Sequence, residues 1–112
     1  MSKYAWVIIK DFTDFYDGQK YKVVEILGPR DNKLSSEEIQ KKGEKFRLYD
    51  DDMILYYEGY LCGEDYHGFE PMDDYGEPNA GCTIIEYYKD GKWEVLWLIQ
   101  QFHLKYLQKI QL

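Results

Sequence analysis

Residues 82–97 read CTIIEYYKDGKWEVLW, and this stretch decides the class of fold. Two runs of β-branched and aromatic residues flank Asp90-Gly91. Asp-Gly is the two-residue connection whose backbone twist matches that of paired strands, so the stretch predicts a tight antiparallel hairpin. A second hairpin is predicted upstream. Lys45–Tyr49 and Met53–Cys62 flank Asp50-Asp51-Asp52, and aspartate favours tight turns because its carboxylate takes nearby backbone N–H groups. Gly59 inside the second arm implies a bulge or a close backbone approach.

Between the hairpins, residues 63–81 hold Gly68, Glu70-Pro71 and Gly76-Glu77-Pro78. These breaks predict a long loop, and Phe69, Met72 and Tyr75 predict that it is ordered. Toward the N-terminus, Tyr4–Lys10 (YAWVIIK) is apolar at successive positions, as a strand covered on both faces or central in a sheet should be. Phe12 and Phe15 are expected to tuck inward from the polar connection that follows. Tyr21–Leu27 reads as a second strand, ended by Gly28-Pro29. Ser35 with Glu38 makes a capping box, and Leu34 with Ile39 a hydrophobic staple, so a two-turn helix begins there. Gly43 reads as its left-handed stop.

Leu98–Leu112 has another character: Ile99, Phe102, Tyr106 and Ile110 recur at helical spacing, predicting an amphipathic helix. Such a helix either completes the core or forms a homodimer through Leu98–Leu112. The chain therefore predicts one α+β domain over residues 1–112: a curved antiparallel sheet of five to six strands within 1–97, one short helix, and a C-terminal amphipathic helix over 98–112.

Charge is unevenly placed. Residues 48–88 carry eleven Asp or Glu, no Lys or Arg, and eight of the twelve tyrosines. The remaining residues carry all fourteen bases against ten acids, so the net −7 belongs to one segment. An acidic, tyrosine-rich surface speaks against direct nucleic-acid binding, which needs clustered cations, and favours a basic protein partner. Net charge also serves solubility alone. Asp51, Asp52, Asp73, Asp74 and Glu77 are the candidate sources of the field, and Tyr56, Tyr57, Tyr60, Tyr66 and Tyr75 the candidate contacts.

Other chemistries find less support. Cys62 and Cys82 are too few for a disulfide scaffold, no N-terminal run resembles a signal peptide, and no stretch reaches membrane-spanning length; the expectation is a cytoplasmic protein with reduced thiols. The carboxylates of residues 50–52 and 64–77 are of the type divalent cations take, yet lack EF-hand spacing. Cys62, His67, Cys82 and His103 lack any C-x-x-C pair for zinc. A Cys82–His67 nucleophile would sit among carboxylates that raise a thiol pKa. No phosphate or dinucleotide motif is present, so neither an enzyme nor a cofactor is expected.

The segments Arg47-Leu48-Tyr49-Asp50-Asp51-Asp52, Tyr56-Tyr57-Glu58-Gly59 and Asp73-Asp74-Tyr75-Gly76-Glu77-Pro78-Asn79-Ala80-Gly81-Cys82-Thr83 carry a resemblance. The chain resembles, over nearly all of residues 4–96, a family of small uncharacterised bacterial and phage proteins of actinobacterial genomes and mobile elements. The resemblance brings a setting but no activity. In that setting the acidic surface leads to the expectation of a mobile-element-encoded inhibitor of a host defence or nucleic-acid-handling protein, blocking it by charge mimicry of a phosphate backbone as an anti-CRISPR inhibitor would. The alternative is a small-ligand or divalent-metal-binding module using residues 63–81.

Overall fold

The computed structural model describes residues 3–97. Six strands form one sheet: β1 (Tyr4–Asp11), β2 (Lys22–Gly28), β3 (Glu44–Tyr49), β4 (Leu55–Gly63), β5 (Ile84–Lys89) and β6 (Lys92–Val95). Their spatial order is β2-β1-β4-β3-β5-β6, and every neighbouring pair is antiparallel. The fold is α+β, as the patterning predicts. β1 sits between β2 and β4, which explains why its residues are apolar on both faces. The expected helix over 98–112, and dimerisation through it, lie outside the described residues. No helix among the described residues is long and apolar enough to cross a membrane.

Both hairpins close at the aspartates. Asp90 and Gly91 each take positive φ, 51° and 81°, as the primed turn demands. Asp50 Oδ1 accepts from the N–H groups of Asp52 (2.9 Å) and Ile54 (3.0 Å). Gly59 answers to both readings of its strand. It faces an irregularity in β1 between Ile8 and Lys10, and a Cβ on it would lie 2.1 Å from the Val7 carbonyl oxygen.

α1 (Ser36–Lys42) has its capping box in place: Glu38 N–H donates to Ser35 Oγ at 3.2 Å, and Ser35 N–H to Glu38 Oε1 at 3.1 Å. The stop differs from expectation. Gly43 is extended (φ −96°) rather than left-handed. A side chain there would lie 2.6 Å from the Ile39 carbonyl and 2.8 Å from that of Leu61, so close packing on β4 selects glycine.

The sheet is covered on both faces. On one, α1 lays Ile39 over Ala5, Val7 and Cys62. On the other, Trp6, Ile8, Phe46, Leu48, Leu61 and Ile85 form the larger core, closed by residues 66–82. That covering segment is the expected long loop, and it is largely helical. A helical turn entered at Glu70-Pro71 runs into a π-helical stretch, Met72–Gly76, and then α2 (Glu77–Ala80). Pro71 falls in the first turn, where a backbone N–H has no partner to lose. The Glu77 N–H reaches back five residues to the Met72 carbonyl, a wide turn that accommodates the ring of Pro78.

Candidate interaction surface

The covering segment is fastened at several points. Glu70, buried, accepts from the N–H groups of His67 (2.9 Å) and Gly68 (2.8 Å), so its charge closes its own loop. The Phe69 N–H donates to His67 Nδ1 at 3.0 Å, which leaves that nitrogen an acceptor rather than a metal ligand. Tyr87 donates its hydroxyl to the Gly68 carbonyl at 2.7 Å, and Tyr66 donates to Glu44 Oε2 at 3.1 Å. Further along, Asp74 Oδ2 accepts from Tyr4 Oη and Trp6 Nε1, each at 2.9 Å. The Tyr75 ring lies between Trp6 and Tyr57, at 5.7 and 5.2 Å between centroids.

The outer side of this layer is acidic. From Glu64 to Cys82 there are six carboxylates, of which only Glu70 is buried, and no Lys or Arg. Asp73, Asp74 and Glu77 are all exposed. Partial burial pushes the Asp73 carboxyl up; His67 opposes this, and Glu77, Asp74 and Glu70 add to it. The Asp50–Asp52 turn adjoins the end of the layer: Thr83 donates its hydroxyl to Asp51, and Cys82 N–H reaches the Gly76 carbonyl at 3.2 Å. Asp51 and Asp52 are exposed there, while Asp50 is held by its backbone bonds and by Tyr56 Oη at 3.0 Å.

The structure divides the sequence-named tyrosines. Tyr56 and Tyr66 border the acidic layer, and Tyr75 is half-buried within it. Tyr57 is only 4% exposed and belongs to the core, so it offers a partner no contact surface. Tyr60 stands on the opposite face of the sheet beside α1, with Lys45 Nζ 5.8 Å from its ring centre. Parity sends Tyr60 to the face opposite Tyr57, whereas Tyr56 and Tyr57 pack against the same core, where the β3–β4 register is irregular.

Two further features went unread in the sequence. Phe15 does not tuck inward as Phe12 does; it is 44% exposed. Tyr16 and Met53 are exposed as well, at 59% and 48%. Tyr16 stacks edge-on to Tyr56 at 5.9 Å. Tyr16 (φ 54°) and Met53 (φ 62°) hold left-handed backbone without being glycine, a conformation that costs of order 1 kcal/mol or more.

The alternative chemistries gain nothing from the geometry. Among the described residues no three of His, Cys, Asp and Glu gather as metal ligands. The Cys82 thiol is fully buried and pushed up to about 12, by burial first and by Asp50 second, so it is not a thiolate at neutral pH. Compared with family models, curated proteins and solved structures, the chain matches none.

Proposed function

We propose that the protein is a small non-enzymatic binding protein whose acidic layer docks on a basic surface of a partner protein. One observation carries this reading. A single continuous layer, residues 66–82, covers one face of the sheet, bears the exposed carboxylates of Asp73, Asp74 and Glu77 without a Lys or Arg, and abuts the exposed Asp51 and Asp52. Its anchoring side chains face the sheet, so the charges on its outer side are held in place rather than waving. Pre-placed charge speeds encounter with a complementary surface and selects for it.

The sharper form of the proposal is that the layer stands in for phosphate on a nucleic-acid-handling or host-defence protein, in the manner of an anti-CRISPR inhibitor. The resemblance to mobile-element proteins supports it, and so does the layer's lack of bases. A cytoplasmic location follows from that role.

The test uses three baits in a host lysate: the unaltered chain, Asp73→Lys with Glu77→Lys, and Lys41→Glu with Lys42→Glu on α1. A basic protein should be retained by the first and third baits and lost from the second. It should elute as salt rises past about 0.15 M, where screening sets in within about 8 Å. Duplex DNA should compete it off if phosphate is what is mimicked. Retention that is equal on all three baits, or flat with salt, would remove the proposal.

A further inference from the structure

Three successive backbone N–H groups at the start of the acidic layer end on side chains, and one of those side chains can reverse its role. His67 and Gly68 donate to the two oxygens of Glu70, at 2.9 and 2.8 Å. Phe69 donates to His67 Nδ1 at 3.0 Å. Glu70 and Phe69 are buried, whereas the His67 side chain keeps 39% of its surface in solvent. Protons therefore reach the ring while the groups it holds stay covered.

The Phe69 bond needs a lone pair on Nδ1, so it exists only while the imidazole is neutral, with its hydrogen on Nε2. An imidazolium carries hydrogens on both nitrogens and accepts nothing. Its Nδ1–H would meet the Phe69 N–H head to head. Glu70 Oε1 lies 3.5 Å from the same Nδ1, too far for a good hydrogen bond but close enough that a small rotation of the ring gives the new hydrogen a carboxylate to bond. The Phe69 N–H is then without its acceptor. One proton thus selects between two arrangements of the loop.

The other titratable groups at this corner come from the layer and from the sheet. On the layer, Asp73 stands beside Glu70; partial burial pushes its carboxyl up and His67 opposes this. The sheet brings Glu44 of β3, which accepts the Tyr66 hydroxyl and lies 3.8 Å from Lys89 Nζ of β5. It also brings Tyr87 of β5, whose hydroxyl donates to the Gly68 carbonyl.

We propose that His67 is a proton-operated latch on the acidic layer. Neutral, it holds the Phe69 N–H. Protonated, it turns to Glu70, releases that N–H and sets a positive charge near Asp73, so mild acid weakens docking on a basic surface. The weakened docking rests on the binding role proposed above; the exchange of hydrogen bonds does not.

Nuclear magnetic resonance of the full chain between about pH 8 and pH 5, the range in which imidazoles change charge, reads the exchange directly. At the alkaline end the His67 Nδ1 should carry the nitrogen shift of an unprotonated acceptor. On acidification the Phe69 amide proton should move upfield and exchange faster with solvent, with the same midpoint as the His67 ring. His67→Asn is the control, because an asparagine oxygen accepts the N–H two residues on, as in an Asx-turn, and does not titrate. Its Phe69 amide should stay in place across the range. His67→Ala should show the released amide at every pH. An oligolysine peptide serves as the basic surface. Its affinity for the unaltered chain should fall about threefold between the two ends of the range, the effect of roughly one screened charge, and clearly less for His67→Asn. A Phe69 amide that stays fixed while the His67 ring titrates, or that shifts equally in His67→Asn, overturns the latch. Equal loss of peptide affinity in the two chains overturns its control of docking. An oligolysine that neither chain binds at any pH would remove the binding role instead, and the amide exchange would stand.

Discussion

Trp6 Nε1 donates to Asp74 Oδ2 at 2.9 Å, tying the central strand to a residue 68 positions further along the chain. The same oxygen takes the Tyr4 hydroxyl. Burial first, then the hydrogen bond to Asp74 and its charge, pushes the Tyr4 phenol up to about 12. Asp74 is thus a buckle for the acidic layer as well as one of its charges. Its neighbour Asp73 has no such bond and points outward.

The two aspartates should therefore behave differently. Asp74→Ala removes a charged acceptor from two donors and should cost about 1–3 kcal/mol, the lower part of that range reflecting its exposure. Asp73→Ala should stay within about 0.5 kcal/mol. Urea denaturation followed by Trp fluorescence reads both. Equal costs would mean that the Trp6–Asp74 bond does not hold the layer down.

Gly59 and Gly91 make a second contrast. A methyl on Gly59 would lie 2.1 Å from the Val7 carbonyl oxygen of β1 and 2.8 Å from Phe46 Cζ of β3, the strands on either side of β4. Backbone cannot yield there, so Gly59→Ala should destabilise by about 3 kcal/mol or more. Gly91 (φ +81°) has open space around it, and Gly91→Ala should cost only about 1 kcal/mol of backbone strain. Thermal melts of the two variants should rank them in that order.

Glu58 sets the acid limb of stability. It is 1% exposed; burial raises its carboxyl, but hydrogen bonds from Arg47 and then Lys10 outweigh that and hold it below the ordinary carboxylate range. A carboxyl lowered by folding contributes stability above the unfolded value, about 4.3, and loses it as pH falls through the folded value. Glu58→Gln should cost about 2–3 kcal/mol at pH 7, because two cations lose their partner. It should also make the loss of stability below about pH 4 shallower than in the unaltered chain. An acid limb with unchanged slope would show that Glu58 is not the group responsible.

Much of this architecture is readable in the residues, and the exceptions have physical causes. Asp90-Gly91, the aspartate turn and the Ser35–Glu38 box announce themselves because each rests on local hydrogen bonding or backbone twist. The helical layer does not, because Pro71, Gly76 and Pro78 are breakers inside a regular α-helix and cease to be so at a first turn and in a π-turn. The acidic surface was legible from composition, since exposed carboxylates seldom have anywhere else to go. The tyrosines were not, because a phenol serves equally as core filler and as contact: strand parity separates Tyr57 from Tyr60, but Tyr56 and Tyr57 share a face at an irregularity in the β3–β4 pairing. The Lys10–Glu58–Arg47 network needs the strand order, which no local pattern carries.

Those buried phenols fix the alkaline limb. Tyr49 and Tyr66 are pushed up to about 12, by burial first and then by Glu86 and Glu44 respectively; Tyr57 and Tyr87 are raised further, again by burial first. A phenol raised by folding contributes stability that is whole below its unfolded value of about 10 and is lost as pH rises through the folded one. Stability should hold between pH 7 and 9 and fall steeply above about 10, with tyrosinate absorbance at 295 nm rising in two stages. The exposed rings ionise first, and the buried set follows in step with unfolding. Tyr87→Phe loses the bond to the Gly68 carbonyl, costing about 1 kcal/mol at neutral pH, yet it deletes the most strongly raised phenol and should make the alkaline limb shallower. If all twelve tyrosines ionise together near pH 10 while the fold persists, the buried phenols are not what holds the sheet and its acidic cover together.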